Sequence, residues 1–82
     1  MGDCYYDVEV WKWYGEYDDE GNRGYGQTSI GTHLTKEEAR KLLNETELSL
    51  DVIRVELWFI GEYTNALVAI RNYGEEEVIE YE

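Results

Sequence analysis

Residues 51–60, DVIRVELWFI, decide the fold, because alternating side chains of this kind predict a strand with two different faces. The first face is wholly apolar and consists of Ile53, Val55, Leu57 and Phe59. The second face mixes charge with aromatic and aliphatic groups and consists of Arg54, Glu56, Trp58 and Ile60. Such a strand needs an apolar layer against its first face and leaves its second face to be covered by something else.

Patterns on both sides of this strand predict the rest of a small sheet. Residues 5–14 and 27–32 are predicted strands separated by the turn-rich segment 15–26. Residues 66–73 and 77–81 predict two more strands, with a hairpin loop at 61–65 and a turn at Gly74. Thr35 and Glu38 form a capping box that starts a helix with an apolar stripe. We therefore predict an α+β fold in one domain, residues 1–82: a single helix packed on one face of a mostly antiparallel four- to five-stranded sheet, in the order ββαβββ.

The single predicted helix can cover only one face of the sheet. Its apolar residues Leu42 and Leu43 are expected to meet the apolar face of strand 51–60, together with Val8, Val10, Val68 and Ile70. The other face of the sheet then carries the residues of the second face of strand 51–60. It also carries Tyr5, Asp7, Glu9, Trp11, Trp13, Leu67, Ala69, Arg71 and Tyr73. All three tryptophans project away from the helix, so three arrangements are open: the loop 14–26 folds over them, a second copy packs on them as a homodimer, or they bind a foreign partner.

Charge narrows the classes of partner. The chain has 19 Asp and Glu against 7 Lys and Arg, and a net charge of −12. Direct binding to nucleic acid or to an anionic membrane is opposed at long range, whereas a basic protein is attracted. The single cysteine, Cys4, allows no intramolecular disulfide, and neither a signal peptide nor a membrane-spanning stretch is expected. These features predict a cytoplasmic protein.

Catalytic and metal-binding patterns are weak. Cys4 lies near the N-terminus and His33, the single histidine, precedes the helix cap, so no nucleophile and base are placed together by the sequence. Residues 18–22 are acidic, but an EF-hand counted from Asp18 would have Arg23 where Gly is needed and Ser29 where Glu is needed. We therefore expect no catalytic residue, no metal and no cofactor, and predict that the protein is not an enzyme.

The acids are grouped, and the groups define the predicted binding residues. The acidic set is Glu75, Glu76, Glu77, Glu80, Glu82, Asp18, Asp19, Glu20, Asp7 and Glu9. Acids two residues apart in a strand lie on one face about 6.8 Å apart, and this repulsion costs stability. Solubility does not require such rows, so they favour a binding function. The predicted aromatic anchors, for a partner or for a second copy, are Tyr5, Trp11, Trp13 and Trp58.

Over its whole length the chain resembles, in size, charge pattern and composition, the small acidic inhibitors that occupy nucleic-acid-binding sites on basic proteins. Phage-encoded DNA mimics, anti-CRISPR proteins and bacterial nuclease inhibitors share this plan. The resemblance implies a protein that binds and blocks a basic nucleic-acid-handling partner, such as a nuclease or a CRISPR effector, in the cytoplasm of a host bacterium if the protein is phage-encoded. The alternative is a small structural or oligomerising protein whose charge serves solubility.

Overall fold

The computed structural model describes residues 4–81 as one helix and one five-stranded sheet. The elements are β1 (Tyr5–Tyr14), β2 (Gly24–Leu34), α1 (Lys36–Glu45), β3 (Val52–Ile60), β4 (Asn65–Asn72) and β5 (Ile79–Glu80). All neighbouring strands are antiparallel, and they are arranged across the sheet as β2-β1-β3-β4-β5. The predicted α+β fold and its order ββαβββ are confirmed, and β3 is the central strand as its apolar face required.

Helix α1 begins at the predicted capping box. The Thr35 hydroxyl accepts the amide of Glu38 at 3.1 Å, and the Glu38 carboxylate accepts the amide of Thr35 at 2.9 Å. These hydrogen bonds to Thr35 hold the pKa of Glu38 below its usual range. The helix ends at Thr46, whose hydroxyl and amide both donate to the carbonyl oxygen of Leu42.

The core lies between α1 and one face of the sheet. It is formed by Val8, Val10, Ala39, Leu43, Val55, Leu57 and Ala69. The helix approaches the sheet closely over Gly31, where an added Cβ would lie 2.8 Å from the Leu42 side chain. A glycine at this position therefore sets how near the helix can pack on β2.

A bulge where β1 pairs with β3 corrects the predicted faces of the central strand. Trp11 pairs with Arg54 but Lys12 pairs with Val52, so Ile53 is an extra residue in the ladder. The prediction that Ile53 lies in the core is wrong, because its side chain lines a groove beside Trp11. Val52 packs against the core instead.

A second bulge shifts the faces of β4 after Val68, because the pairing of β4 with β3 skips that residue. Val68 itself packs against the core as predicted. Ala69 was predicted on the tryptophan face but is fully buried in the core. Arg71 was predicted beside it, but its guanidinium reaches the C-terminal end of α1, where it donates to the carbonyl of Asn44 at 3.0 Å. Ile70, predicted under the helix, instead lies on the opposite face.

Two strands also differ in length from their predictions. Strand β2 begins at Gly24 and not at residue 27, because its pairing with β1 continues as far as Gly24 opposite Tyr14. The Tyr14 ring packs closely on Gly24, where an added Cβ would lie 2.8 Å from that ring. Strand β5 spans only Ile79–Glu80, so Glu77 lies before it. The loop between β1 and β2 is therefore residues 15–23. No helix among residues 4–81 has the length and apolar character needed to cross a membrane.

Candidate protein-binding surface

The face of the sheet opposite α1 is called here the open face, since no second helix or sheet lies on it within the part of the chain that the structure describes. Trp11 and Trp58 are half-buried on it, and Trp13 is 39 % exposed. The three tryptophans thus lie away from the helix, as alternation along the strands predicts.

Loop 15–23 extends from the end of the sheet and is tied there by one arginine. The Arg23 guanidinium donates to the Asp51 carboxylate at 2.8 Å and to the Gly15 carbonyl at 3.3 Å, and it lies 5.3 Å from the Tyr17 ring centre. Tyr17 itself is 69 % exposed. These contacts hold the loop at the end of the sheet beside Trp13.

Tyr25 joins two of the tryptophans in an aromatic row. Its ring centre lies 5.5 Å from that of Trp11, with the planes inclined by 27°, and 4.5 Å from that of Trp13. The predicted strand began at residue 27 and so missed Tyr25. The signal that could have found it is the alternation of Tyr25 with Gln27 and Ser29, which continues the strand backwards. Such rigid aromatic side chains are the residue types that anchor protein interfaces.

A groove of about 440 Å³ runs beside this aromatic row. It is lined by Trp11, Tyr25, Ile53, Arg54 and Asn72. Its polar wall is held in place, because the Arg54 Nε donates to the Asn72 side-chain oxygen at 2.9 Å. The indole Nε1 of Trp11 is buried and has no hydrogen-bond partner among residues 4–81. The groove therefore combines flat apolar walls with fixed polar groups.

Glu56 lies at the centre of the open face and is only 5 % exposed. Its carboxylate accepts from the Gln27 amide at 2.9 Å, from the Trp58 indole at 3.0 Å and from the Arg54 guanidinium at 3.4 Å. A buried carboxylate is tolerated only when it is paired and hydrogen-bonded, and these donors meet that need. Glu56 therefore orients Trp58 and Arg54, a role that the sequence alone does not reveal.

Asp7 and Glu9 share the open face but differ in their contacts. Asp7 accepts the Thr32 hydroxyl at 2.6 Å. Glu9 lies directly opposite Glu56 in the β1–β3 ladder and accepts no hydrogen bond from the described residues. Desolvation, followed by the charges of Asp7 and Glu56, raises the pKa of Glu9 above its usual value. Glu9 is thus a half-buried carboxylate that the fold leaves uncompensated.

The first predicted aromatic anchor, Tyr5, lies at the far end of the open face. Its ring stacks on His33, with centres 3.9 Å apart and planes inclined by 18°. His33 has φ of 57°, a left-handed conformation that histidine adopts more readily than most residues, at the irregular end of the β1–β2 ladder. Within residues 4–81, no three His, Cys, Asp or Glu side chains are placed to hold a metal ion.

The two predicted acidic segments come together at one end of the sheet. Loop 15–23 follows β1, and the segment after β4 leaves the sheet at Asn72, which pairs with Arg54 near the start of β3. Because neighbouring strands lie about 4.8 Å apart, the strand ends from which the two loops leave are separated by roughly 14 Å across the sheet. The exposed acids at this end include Asp18, Asp19, Glu20, Glu75, Glu76 and Glu77.

These end acids lie in turns outside the strands; of them, only Glu77 was predicted in a strand. The Asp18 carboxylate accepts the amides of Glu20 at 2.9 Å and Asn22 at 2.8 Å, which shapes the loop. Residues 75–77 follow Gly74, whose φ of 85° provides the predicted turn. Asp19 and the carboxylates of residues 75–77 make no ion pair within the described range.

Two of the predicted binding acids, Glu80 and Glu82, are not part of this acidic end. Glu80 lies in β5 on the helix side and forms a two-point ion pair with Arg40, with both N–O distances 2.6 Å. This contact lowers the pKa of Glu80 and neutralises its charge within the fold. Glu82 lies outside the described residues.

Comparison with known proteins finds no matching family model, no matching curated protein and no matching solved structure. The open face and the acids at one end of the sheet are therefore the features from which a function can be inferred.

Proposed function

We propose that the protein is an acidic inhibitor that binds and blocks a basic, nucleic-acid-handling protein. The observation that carries the proposal is the unequal pairing of charge. All four arginines are engaged inside the fold: Arg23 with Asp51, Arg40 with Glu80, Arg54 with Glu56, and Arg71 with carbonyls at the end of α1. Most of the positive charge is therefore paired within the chain, and the excess negative charge, a net −12, is left at the surface.

The surface acids are concentrated where a partner can reach them together. The end of the sheet presents two acidic loops, and the adjoining open face presents Glu9 beside the aromatic row of Trp11, Tyr25 and Trp13. Acidic groups steer a basic partner during approach, and aromatic groups provide desolvated contact after docking. The proposed binding surface consists of Asp7, Glu9, Trp11, Trp13, Trp58, Tyr5, Asp18, Asp19, Glu20, Glu75, Glu76 and Glu77.

A basic groove that normally holds DNA or RNA is the partner surface that fits best. Such grooves are built to release counterions when they meet closely spaced negative charge. A sheet end with two anionic loops, which leave strands roughly 14 Å apart, offers that charge on a fixed frame because each loop is anchored to a strand. A partner occupied in this way can no longer hold its nucleic acid, which is the proposed basis of inhibition.

The proposal is tested by removing end charges without changing shape. The tagged protein is used to capture partners from a bacterial lysate at low and at high salt, and captured proteins are identified by mass spectrometry. Binding of a captured partner is then compared for wild type and for Glu75→Gln, Glu76→Gln, Glu77→Gln combined. We expect slower association and a weaker dependence on salt, because steering is screened over about 8–10 Å.

A control removes two charges at the opposite end of the sheet. Glu37 and Glu62 are exposed and make no ion pair among the described residues. Glu37 lies at the start of α1 and Glu62 follows the end of β3, so changing both to Gln leaves the acidic end intact. This control should bind nearly as fast as wild type, and an oligonucleotide should displace wild type from the partner. If the triple variant and the control both associate as fast as wild type, with no displacement by oligonucleotide, the acids serve solubility and the alternative, a small structural protein, is right.

A further inference from the structure

Strand β2 is an edge strand without a single charged residue. It spans Gly24–Leu34, 11 residues, in a chain of which 32 % is charged. One side of β2 pairs with β1, and its other side has no neighbouring strand in the sheet of the described residues. Edge strands are usually protected from pairing by Lys, Pro or shortness, and β2 has none of these protections.

The backbone groups that point away from the sheet can be assigned from the ladder. The amide of Trp13 donates to the Asp51 carbonyl on the β3 side, so the next residues along β1, Lys12 and Tyr14, direct their groups to β2. Their partners in β2 are Gly26 and Gly24. Alternation then directs the N–H and C=O groups of Tyr25, Gln27 and Ser29 outward, away from β1.

The regular part of this edge is the segment 24–29. Its pairing with β1 is continuous from Tyr14 with Gly24 to Glu9 with Ser29. Beyond it the ladder skips Ile30, because Val8 pairs with Gly31. A bulge bends an edge and ends its capacity to template another strand. The available edge is therefore six residues long.

We propose that segment 24–29 pairs antiparallel with the same segment of a second copy, joining two sheets into one. A two-fold axis at Gln27 places Tyr25 opposite Ser29 of the second copy. The three outward-facing residues of each copy then form three hydrogen-bonded pairs, which supply about six backbone hydrogen bonds. No charged side chain of β2 enters this contact.

The distribution of charge favours pairing with a second copy in the antiparallel orientation. Two chains of net charge −12 repel over most of their surfaces, and an uncharged strand is where this repulsion is least. Antiparallel pairing sends the acidic loops 15–23 of the two copies to opposite ends of the joined strands, roughly 20 Å apart over six residues. The other edge of the sheet, β5, has only two residues, so association closes at two copies.

The expected dimer is weak and strengthens with salt. A six-residue edge buries less area than a stable interface needs, so the expected dissociation constant is on the order of 0.1–1 mM. Added salt screens the repulsion between the copies and should shift the equilibrium toward dimer. Binding of a basic partner should instead weaken when salt is added. The two salt dependences have opposite signs, so this proposal and the proposed function can fail independently of each other.

The first experiment measures mass by analytical ultracentrifugation across protein concentration, for wild type and two variants at one position. Ser29→Pro removes an outward amide, a change that edge strands accept, and should abolish the approach to twice 9.7 kDa at high concentration. Ser29→Ala keeps that amide and should dimerise like wild type. A dimer that persists in Ser29→Pro would overturn the proposal.

The second experiment needs no variant and so does not depend on how well Ser29→Pro folds. Amide hydrogen exchange of wild type is followed by NMR in dilute and concentrated samples. The amides of Tyr25, Gln27 and Ser29 should exchange fast when dilute and become several-fold slower when concentrated, whereas Gly26 and Thr28 should be protected in both. Fast exchange of the three outward amides at every concentration, or a mass that stays at 9.7 kDa up to about 1 mM, contradicts the pairing.

Discussion

Replacing Glu9 by Gln should stabilise the fold and weaken partner binding at the same time. In the wild type the Glu9 carboxylate lies opposite Glu56, is flanked by Asp7 on the same face, and accepts no hydrogen bond from residues 4–81. Gln keeps the size and shape of the side chain and removes its charge. No contact that the structure shows is lost by the change.

The size of the effect follows from the ladder. Residues directly opposite in a hydrogen-bonded antiparallel pair have Cα atoms about 5.5 Å apart, and like charges so placed destabilise by roughly 0.2–1 kcal/mol. Arg54 lies 3.4 Å from the Glu56 carboxylate and compensates part of its charge. We therefore expect about 0.5–1 kcal/mol of stabilisation at neutral pH, which includes relief of desolvation, or roughly 2–8 °C in Tm.

The stabilisation should depend on pH with a definite sign. Because the pKa of Glu9 is raised in the folded state, the wild type is penalised at pH values above that raised pKa, where Glu9 must be charged. The penalty fades as pH falls and is absent below the ordinary value of 4.5, where Glu9 is protonated in both states. The advantage of Glu9→Gln should therefore be full at pH 7 and vanish near pH 3.

The assay is denaturant unfolding at pH 7 and at about pH 3, paired with association kinetics on a captured partner. Glu62→Gln is the matched control, because it removes one charge from an exposed loop residue at the other end of the sheet. That control should leave both stability and association nearly unchanged. Equal stability of Glu9→Gln and wild type at pH 7, or the same stabilisation at both pH values, would refute the repulsion argument.

Two further predictions concern packing against the helix. Glu80→Gln should lower the free energy of unfolding by less than about 1 kcal/mol in urea titrations, since the ion pair with Arg40 is half-exposed. Because the pKa of Glu80 is lowered in the folded state, this loss should be full at pH values above the ordinary pKa of 4.5. It should disappear as the pH falls through the lowered pKa. Gly31→Ala should cost about 1–3 kcal/mol in the same assay, because its Cβ would meet Leu42 at 2.8 Å and Leu34 at 2.9 Å; unchanged stability would show that the helix can shift outward.

The sequence by itself determined the elements and their order. Alternation in residues 51–60 predicted the central strand, and the Thr35–Glu38 capping box predicted where the helix begins. Local periodicity suffices for these features because each depends on residues within a few positions of one another. The surplus of acid, and therefore the class of partner proposed, is likewise a property of composition alone.

The faces of the strands were decided only by the tertiary structure. The extra residues at Ile53 and Val68 each shift the alternation by one position, which moved Ile53 and Ile70 to the open face and Ala69 and Arg71 to the helix side. A bulge is a property of two paired strands, so one strand's pattern cannot reveal it.

The sequence also could not reveal which charged side chains are compensated by an ion pair. Arg40 and Glu80 are 40 residues apart, and Arg23 and Asp51 are 28 apart, so only folding brings each pair together. Glu9 and Glu80 look alike in sequence, as glutamates in predicted strands. One remains uncompensated on the open face and the other is neutralised beside the helix, because an ion pair depends on distances of a few ångströms that sequence separation does not encode.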